Sequence, residues 1–272
     1  MVLQFICGRV GHCREFFISG GGMEVDIQSK KILLKEKVDQ IIFWIKKKVL
    51  SAKKNGVIFG LSGGLDSAVI AALCQKAFPD NTMALILPCE STNDDINDAM
   101  SIVKKYHLSY KNIDLTPIYH QLLSIMDTTF NNRMAKANIK PRLRMIALYY
   151  FASIFGYLVV GTGNKSEISV GYFTKYGDGG VDILPLGNIL KSEVIEIAQF
   201  LEIPQNIISK PPSGGLWENQ TDEEEMGFSY KQLDNFLKNG EITDKKTEKL
   251  ILTMSQSSVH KRNRPPAFKF KK

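Results

Sequence analysis

The segment best suited to chemistry is residues 59–67, which read Phe-Gly-Leu-Ser-Gly-Gly-Leu-Asp-Ser. Residues 57–61 are predicted to form a short buried strand and the apolar residues 68–74 a packed helix, so the glycines lie in the turn between them. Such a turn lets backbone N–H groups reach an anion at a helix N-terminus, where the helix dipole also favours negative charge. Ser62 and Ser67 could add hydroxyl donors. The pattern therefore predicts a phosphate-binding turn.

Asp66 is the unusual member of this segment, because a carboxylate beside a phosphate is repulsive. A divalent cation held between the two groups would remove that repulsion. The alternative is a tight strand–helix turn in which Asp66 only caps the helix. The Gly-x4-Gly-Lys-Ser/Thr pattern is absent, which excludes a Walker loop.

Polar groups also follow a later predicted strand, residues 157–161, where the chain continues from Thr162 to Glu167. Because the carboxyl ends of parallel strands meet at one edge of a sheet, Glu167 could share a metal ion with Asp66. Taken alone, a glutamate here more often serves as a helix-start carboxylate. Residues 171–182 are rich in glycine and polar groups, which predicts a long functional loop.

Strands and helices alternate along most of the chain. Strands are predicted at 57–61, 83–87, 110–113, 157–161 and, as a strand-like piece, 182–186. The main helices are predicted at 32–50, 68–74, 93–106, 116–126, 142–155 and 191–201, with shorter ones at 230–237 and 243–254. This order predicts an α/β fold in which a doubly wound parallel sheet is flanked by helices and followed by a C-terminal helical segment.

Two local details accompany this prediction. Asn93 is the expected cap of the helix at 93–106. Residues 131–141 are polar and predicted to form a loop, with Pro141 at the start of the next helix.

The helix predicted at residues 142–155 is apolar on most sides. It is therefore expected to be buried on more than one face, in the core or in a subunit interface. Arg142 and Arg144 near its start oppose the helix dipole unless an anion or carboxylate offsets them. Solvated arginines at a helix end fit these two residues equally well.

Composition sets outer bounds on the class of protein. The 272 residues and the apolar fraction of 44% fit one large α/β domain, alone or with a helical appendage. No apolar run reaches the ~18–20 residues needed to cross a bilayer. The net charge of +7 and the pI near 9.1 allow nucleic acid or a small polyanionic ligand. The cysteines form no Cys-x-x-Cys pair and are expected to be reduced in a cytoplasmic protein: Cys7, Cys13, Cys74 and Cys89.

The first 22 residues differ from the rest of the chain. Charged residues interrupt the apolar run that a signal peptide would need. Three consecutive glycines precede Met23, and codons for consecutive glycines can carry a ribosome-binding sequence. We therefore expect residues 1–22 to be a non-native or disordered extension and residues 23–272 to form the functional domain.

The segment from Ser62 to Ser67 resembles the pyrophosphate loop of the N-type ATP pyrophosphatases. Seven later segments narrow the resemblance to the ammonia-dependent NAD synthetases: residues 138–145, 161–167, 171–179, 191–193, 212–217, 220–223 and 260–262. The resemblance covers nearly all of residues 38–262. It implies an adenine nucleotide α-hydrolase-like fold and a homodimer with deamido-NAD bound across its interface.

The resemblance also implies a reaction and its residues. ATP adenylates the nicotinate carboxylate of deamido-NAD with release of pyrophosphate, and ammonia then displaces AMP to give NAD, the last step of NAD biosynthesis. The implied ATP contacts are Gly60, Leu61, Ser62, Gly63, Gly64, Leu65, Asp66, Ser67, Thr162, Lys191 and Ser213. The implied deamido-NAD contacts are Arg142, Lys175, Asp182, His260 and Lys261. Mg²⁺ is assigned to Asp66 and Glu167, and the catalytic set is Asp66, Lys191 and Ser62.

Free ammonia is the expected nitrogen donor, because only about 30 residues precede the first predicted helix, too few for a glutaminase domain. Two other classes of function remain open. A tRNA-modifying ATP pyrophosphatase fits the loop and the basic pI, but it should carry a catalytic cysteine pair or an added RNA-binding domain. A non-catalytic nucleotide-binding module explains the first loop but not Glu167, Lys175 and Lys191. We therefore expect no nucleic-acid or membrane partner.

Overall fold

The structure is a computed structural model that describes residues 21–126, 132–217, 220–240 and 242–270. Its sheet has four parallel strands: β1 (Gly56–Gly60), β2 (Thr82–Ile86), β3 (Ser109–Asn112) and β4 (Tyr157–Val159). The strand order is β3-β2-β1-β4. The chain winds outward from β1 through β2 to β3 and then returns to the other side of β1. This reversal places a topological switch point beside β1, where ligands bind in open α/β sheets.

The helices follow the sequence order of an α/β protein. They are α1 (Gly21–Ser51), α2 (Leu65–Ala77), α3 (Asn93–Tyr106), α4 (Thr116–Ile125), α5 (Arg133–Ala137), α6 (Ile139–Phe155), α7 (Lys165–Val170), α8 (Lys191–Phe200), α9 (Gln205–Ile208), α10 (Asp222–Met226), α11 (Tyr230–Asn239), α12 (Lys245–Ser257) and α13 (Val259–Arg262).

Alternate residues of β1 face two different cores, as the period of a strand requires. Val57 and Phe59 join the core formed with α1, α2, α3 and α8. Ile58 points the other way and packs with α4 and α6, including Leu148. Helices therefore cover both faces of the sheet, which confirms the predicted doubly wound α/β fold.

The C-terminal helical segment has its own small core. Its buried apolar side chains come from α7, α10, α11 and α12 and from the turns between them: Val170, Met226, Phe228, Tyr230, Leu233, Ile242 and Ile251. Since α7 follows β4 after a short turn, this core joins the C-terminal helices to the edge of the sheet where the polar segments lie.

Three local predictions were wrong. Residues 132–138 are not a loop: Asn132 Oδ1 accepts from Ala135 N (2.9 Å) and so caps α5. The cap of α3 is Thr92 rather than Asn93, because Thr92 Oγ1 accepts the backbone N–H of Asp95.

The third error concerns residues 182–186, which form no strand. The structure has a single bridge there, between Val160 and Ile183. The Asp182 side chain accepts the backbone N–H of Val159 (2.8 Å), and Pro185 has no N–H to donate, so a regular ladder cannot continue.

Helix α6 buries only one face within the chain. Leu148 and Ala152 are buried, whereas Ile146, Tyr150 and Ile154 are 59%, 62% and 57% exposed. The three exposed residues are spaced by four and therefore share one face of the helix. Burial on several faces is thus not achieved inside one chain, and the interface alternative stays a prediction.

The predictions about the N-terminus concern residues that are mostly not described. Residues 1–20, including Cys7 and Cys13, lie outside the described ranges, whereas Gly21 and Gly22 begin α1. Cys74 and Cys89 are buried free thiols. Within the described ranges, no helix has the length and apolar character needed to cross a membrane.

Candidate nucleotide site

The turn between β1 and α2 is closed by its own hydroxyl groups. Ser67 Oγ donates to Gly64 O (2.8 Å) and lies 3.1 Å from Ser62 Oγ, which accepts the backbone N–H of Gly64 (3.2 Å). Gly63 has a φ of +83°, and a Cβ on it would lie 2.3 Å from Asp95 O. Only glycine satisfies both conditions without strain. The turn is therefore preformed at the N-terminus of α2, as a phosphate site requires.

Three charged side chains from three helices meet beside this turn. Asp66 is in the first turn of α2, Glu167 in the first turn of α7, and Lys191 is the first residue of α8. Lys191 Nζ forms an ion pair with Asp66 Oδ2 and lies 3.4 Å from Glu167 Oε1. Asn164 Nδ2 donates to Asp66 Oδ1 (3.1 Å). The predicted proximity of Asp66 and Glu167 is therefore present.

Two carboxylates share one ammonium, so the local charge is negative when Glu167 is ionised. Burial, followed by the nearby Asp66 carboxylate, raises the pKa of Glu167 to about 7. Burial by itself would lower the pKa of Lys191, but attraction by Asp66 and Glu167 outweighs it and raises that pKa above its ordinary value. Lys191 therefore stays protonated at neutral pH, and a further cation would find a favourable potential here.

The donor set fits Mg²⁺. Among the described residues, no group of three or more His, Cys, Asp or Glu side chains converges as a metal site. Mg²⁺ is typically held by one or two carboxylates together with substrate phosphates and water, rather than by an all-protein cage. Asp66 and Glu167 supply the two carboxylates.

A cavity of about 830 Å³ opens over this cluster. Of the predicted ATP and metal residues, those that line it are Gly60, Leu61, Ser62, Gly64, Leu65, Asp66, Ser67, Thr162, Glu167, Lys191 and Ser213. Gly63 does not line the cavity. The predicted ATP residues are thus brought together around one space.

The predicted deamido-NAD residues are arranged differently. Lys261 lines the cavity, and its Nζ donates to Gly171 O (2.8 Å) and Phe173 O (2.9 Å) in the glycine-rich loop. Arg142, Lys175 and His260 do not line it but are linked to one another. Arg142 Nη2 donates to Lys175 O (3.4 Å), and Lys175 Nζ donates to His260 O (2.7 Å).

Asp182 is separate from the other predicted deamido-NAD residues. Its carboxylate accepts from Val159 N (2.8 Å) and Tyr149 Oη (3.1 Å) beside β4, and it does not line the cavity. The structure therefore gives Asp182 a bonding role within the chain.

Sequence reasoning missed a tyrosine–aspartate pair behind Glu167. Tyr230 Oη donates to Asp222 Oδ2 (2.8 Å) and lies 3.3 Å from Glu167 Oε1. Burial raises the pKa of Asp222. The segment 220–223 is one of those that carry the resemblance, which assigns no site role to Asp222.

Arg144 is another residue that the sequence left open. Its Nε donates to Leu87 O (3.0 Å), it lines the cavity, and burial lowers its pKa. The alternative of a solvated arginine is therefore wrong for Arg144, whereas Arg142 is exposed and fits it.

The segment that carries Ser213 is held down by a buried lysine. Lys140 Nζ donates to Leu216 O (2.8 Å) and pairs with Glu90 Oε2 (2.7 Å). The Arg133 guanidinium stacks on Trp217, 4.2 Å from the ring centroid. These contacts bring Ser213 to the cavity without any regular element.

The parallel sheet, the preformed turn and the paired carboxylates at one cavity define a nucleotide-binding α/β protein. The profile of the NAD synthase family matches residues 37–265. The chain belongs to this family.

Proteins of known name that are similar to this chain support its place in the family. The NH(3)-dependent NAD(+) synthetase of Syntrophomonas wolfei is 48% identical over 84% of this chain and 94% of its own length. The NH(3)-dependent NAD(+) synthetase of Carboxydothermus hydrogenoformans is 46% identical over 85% and 96%. Among solved structures, the NMN synthetase of Francisella tularensis superposes with a TM-score of 0.83 at 38% identity, covering 87% of this chain and 99% of that one.

Proposed function

We propose that this protein catalyses the ATP-dependent amidation of deamido-NAD with ammonia, giving NAD, AMP and pyrophosphate. The observation that carries the proposal is the convergence of Asp66, Glu167 and Lys191 beside the turn at Ser62–Ser67. A phosphate turn alone would serve many nucleotide-binding proteins. Paired carboxylates and a buried lysine at the same cavity add what cleavage of a phosphoanhydride needs.

The first step forms an acyl adenylate. A carboxylate oxygen of the nicotinate group attacks the α-phosphorus of ATP, and the bond to the pyrophosphate oxygen breaks. No protein nucleophile is needed, so positioning and charge stabilisation supply the rate enhancement. Lys191 is protonated and can stabilise the negative charge that develops on the leaving pyrophosphate. The turn at Ser62–Ser67 and Ser213 hold the phosphates, and Thr162 contacts the nucleotide.

The second step consumes ammonia. Its lone pair attacks the carbonyl carbon of the acyl adenylate, the bond to the AMP oxygen breaks, and the nitrogen loses a proton to give the carboxamide. In this proposal Arg142, Lys175, His260 and Lys261 hold deamido-NAD. The contacts that join Lys175 to His260 and Lys261 to the glycine-rich loop support their grouping.

Mg²⁺ is the proposed metal ion. When bound, it would neutralise phosphate charge next to the two carboxylates. Asp66 and Glu167 would hold it, because they are oxygen donors that already face a common cation, the Lys191 ammonium.

A homodimer is the proposed assembly. The exposed apolar stripe of α6, formed by Ile146, Tyr150 and Ile154, supports it. Arg142 lies near the start of the same helix, four residues before Ile146, so an interface on this stripe would lie near one of the proposed deamido-NAD residues. Asp182 would complete the substrate site from beside β4.

The cytoplasm is the proposed location. The buried free thiols of Cys74 and Cys89 support it, because unpaired cysteines are typical of reducing compartments.

A second candidate substrate is the deamidated counterpart of NMN. The Francisella tularensis structural relative is an NMN synthetase. The two sequence relatives at 46–48% identity, which are more similar to this chain, are NAD synthetases. Deamido-NAD is therefore the first choice, and the chemistry at the cavity would be the same for both substrates.

The deciding assay mixes ATP, Mg²⁺, deamido-NAD and ammonium and follows NAD and AMP together. The expected result is equal amounts of the two products, with little NAD when glutamine replaces ammonium. A parallel reaction with nicotinate mononucleotide compares kcat/KM for the two substrates. Absence of NAD, with ATP cleaved only when tRNA is added, would overturn the proposal.

A further inference from the structure

Asp234 is a buried carboxylate outside the cavity that joins three helices. It lies on α11, is only 4% exposed, and uses both of its oxygens. Ser166 Oγ on α7 donates to Asp234 Oδ1 (2.5 Å), and the backbone N–H of Ser192 on α8 donates to Asp234 Oδ2 (2.8 Å). A buried carboxylate with two such partners sets the spacing of the elements that it joins.

The contact to α8 compensates for an unfavourable residue at the start of that helix. The first backbone N–H groups of a helix have no partner within it, and a side-chain acceptor at the N-cap normally takes one of them. The N-cap of α8 is Leu190, whose side chain accepts no hydrogen bond. The acceptors come from other helices instead: Ser166 Oγ takes Lys191 N (3.0 Å), and Asp234 takes Ser192 N.

These bonds lie next to the residues proposed to bind ATP and Mg²⁺. Ser166 immediately precedes Glu167 in the chain, and Lys191 is the first residue of α8. A chain of hydrogen bonds therefore runs from Asp234 through Ser166 to the backbone of Lys191. Lys191 and the neighbour of Ser166, Glu167, are the two residues whose side chains meet at 3.4 Å.

We propose that Asp234 is a positioning residue, which acts through Ser166 and the N-terminus of α8 to hold Lys191 and Glu167 at the geometry needed for ATP. The C-terminal helical segment is then part of the nucleotide site even though Asp234 touches no substrate. The kinetic test of this inference rests on the proposed function, because it follows NAD formation. The binding test rests only on the binding of ATP.

The kinetic test compares Asp234→Ala, Ser166→Ala and the double variant. Loss of a partner that orients a ligand-binding side chain typically lowers activity or affinity by about 10- to 100-fold. We expect kcat for NAD formation to fall, and the Mg²⁺ and ATP concentrations for half-saturation to rise. The KM for deamido-NAD should change little, since its proposed contacts lie elsewhere. The two losses should be less than additive in the double variant, because either change removes the Ser166–Asp234 hydrogen bond, while the bonds to Ser192 N and Lys191 N are each lost in only one single variant.

The control is Leu233→Ala in the same helix. Leu233 is fully buried and packs in the C-terminal core, so its truncation lowers the melting temperature without touching the Asp234 bonds. We expect this variant to keep wild-type kinetics at a temperature where it is folded. If Asp234→Ala behaves like Leu233→Ala, with a lower melting temperature and kcat within about twofold of wild type, the proposal is wrong.

Asp234→Asn provides the test if the alanine variant does not fold. The amide keeps the size of the carboxylate, but only its oxygen can accept from Ser192 N, and its NH2 group must donate to Ser166 Oγ. The bond to Ser166 is therefore reversed and loses the negative charge of its acceptor, which weakens it. We expect a loss of kcat smaller than that of a folded Ser166→Ala variant; wild-type kcat would contradict the proposal.

Calorimetric binding of a non-hydrolysable ATP analogue with Mg²⁺ is the second test. We expect about tenfold weaker binding by the Asp234 variants, and unchanged binding would overturn the inference. Because this measurement needs no deamido-NAD, it separates failure of the inference from failure of the proposed substrate. The latter would show as wild-type protein that binds the analogue but makes no NAD.

Discussion

At the scale of single residues, the site depends on how two carboxylates share one lysine. Lys191 contacts both Asp66 and Glu167, and Asn164 donates to the second oxygen of Asp66. Because the pKa of Glu167 is about 7, the cluster has a full excess negative charge only when Glu167 is deprotonated. That excess makes a cation favourable beside the phosphate turn and allows Asp66 to be placed next to an anion.

Replacement of Asp66 tests this charge balance. Asp66→Ala removes one carboxylate and leaves Lys191 with Glu167 alone, so we expect AMP formation to fall by about 100-fold or more. The measurement is AMP release in the complete reaction mixture. Asp39→Ala, on the exposed face of α1, is the matched control and should have no effect. Unchanged turnover of Asp66→Ala would remove its proposed metal role.

The raised pKa of Glu167 predicts how stability depends on pH without metal. The ordinary value is 4.5 and the folded value about 7, so between these pH values the folded protein binds more protons than the unfolded chain. The free energy of unfolding should therefore decrease as pH rises through this window, and the contribution is fully lost above about pH 7. Denaturant unfolding in the presence of EDTA measures it.

Glu167→Gln is the control for the pH prediction, because the amide does not titrate. The difference in unfolding free energy between wild type and Glu167→Gln should change across the window in the direction given above. A constant difference would show that Glu167 titrates at its ordinary pKa.

At the scale of elements, the strand–turn–helix unit was predictable because its signals are local. An apolar strand, consecutive glycines and an apolar helix lie within about 20 residues. The two wrong predictions nearby, the loop over residues 131–141 and the cap of α3, also have local causes. Asn132 and Thr92 both act as caps through their side chains, and several polar residues at each position could have done so.

Gly63→Ala tests whether the turn must be preformed. The change forces a positive φ on alanine, which costs about 1–2 kcal/mol. It also brings the new Cβ too close to Asp95 O. We expect a loss of stability larger than that cost alone, together with weaker ATP binding, measured by thermal unfolding and calorimetry.

Gly240→Ala is a closely matched control for the turn variant. Gly240 has a φ of +82°, nearly the same as Gly63, but nothing lies within 4 Å of a Cβ there. Gly240→Ala should lose only the stability that the positive φ costs, and it should bind ATP as tightly as the wild type. Equal effects of the two variants on ATP binding would contradict a special role for the Gly63 turn.

At the scale of the whole molecule, the apolar stripe on α6 predicts association. Tyr150→Asp should place a charge in the proposed interface and shift the protein from dimer to monomer, with loss of activity if deamido-NAD binds across the interface. Ile118→Asp on α4 is the control, because Ile118 is also exposed but lies on another helix. Light scattering after size-exclusion chromatography gives the mass.

Two outcomes would contradict the dimer prediction. If wild-type protein is a monomer at micromolar concentration, or if Tyr150→Asp stays dimeric, the stripe on α6 is not the interface. Activity retained by a monomeric Tyr150→Asp variant would instead show that one chain contains a complete substrate site.

The sequence by itself determined the glycine turn after β1, the α/β order and the family, because each depends on residues close together or on whole segments with a specific composition. It also indicated that Asp66 and Glu167 share a site. Only the tertiary structure decided that Lys191 lies between them and that Asp234 caps a helix from another element. It also decided that residues 182–186 stay irregular. These features join groups far apart in the chain, and their geometry is set by packing that no local pattern records.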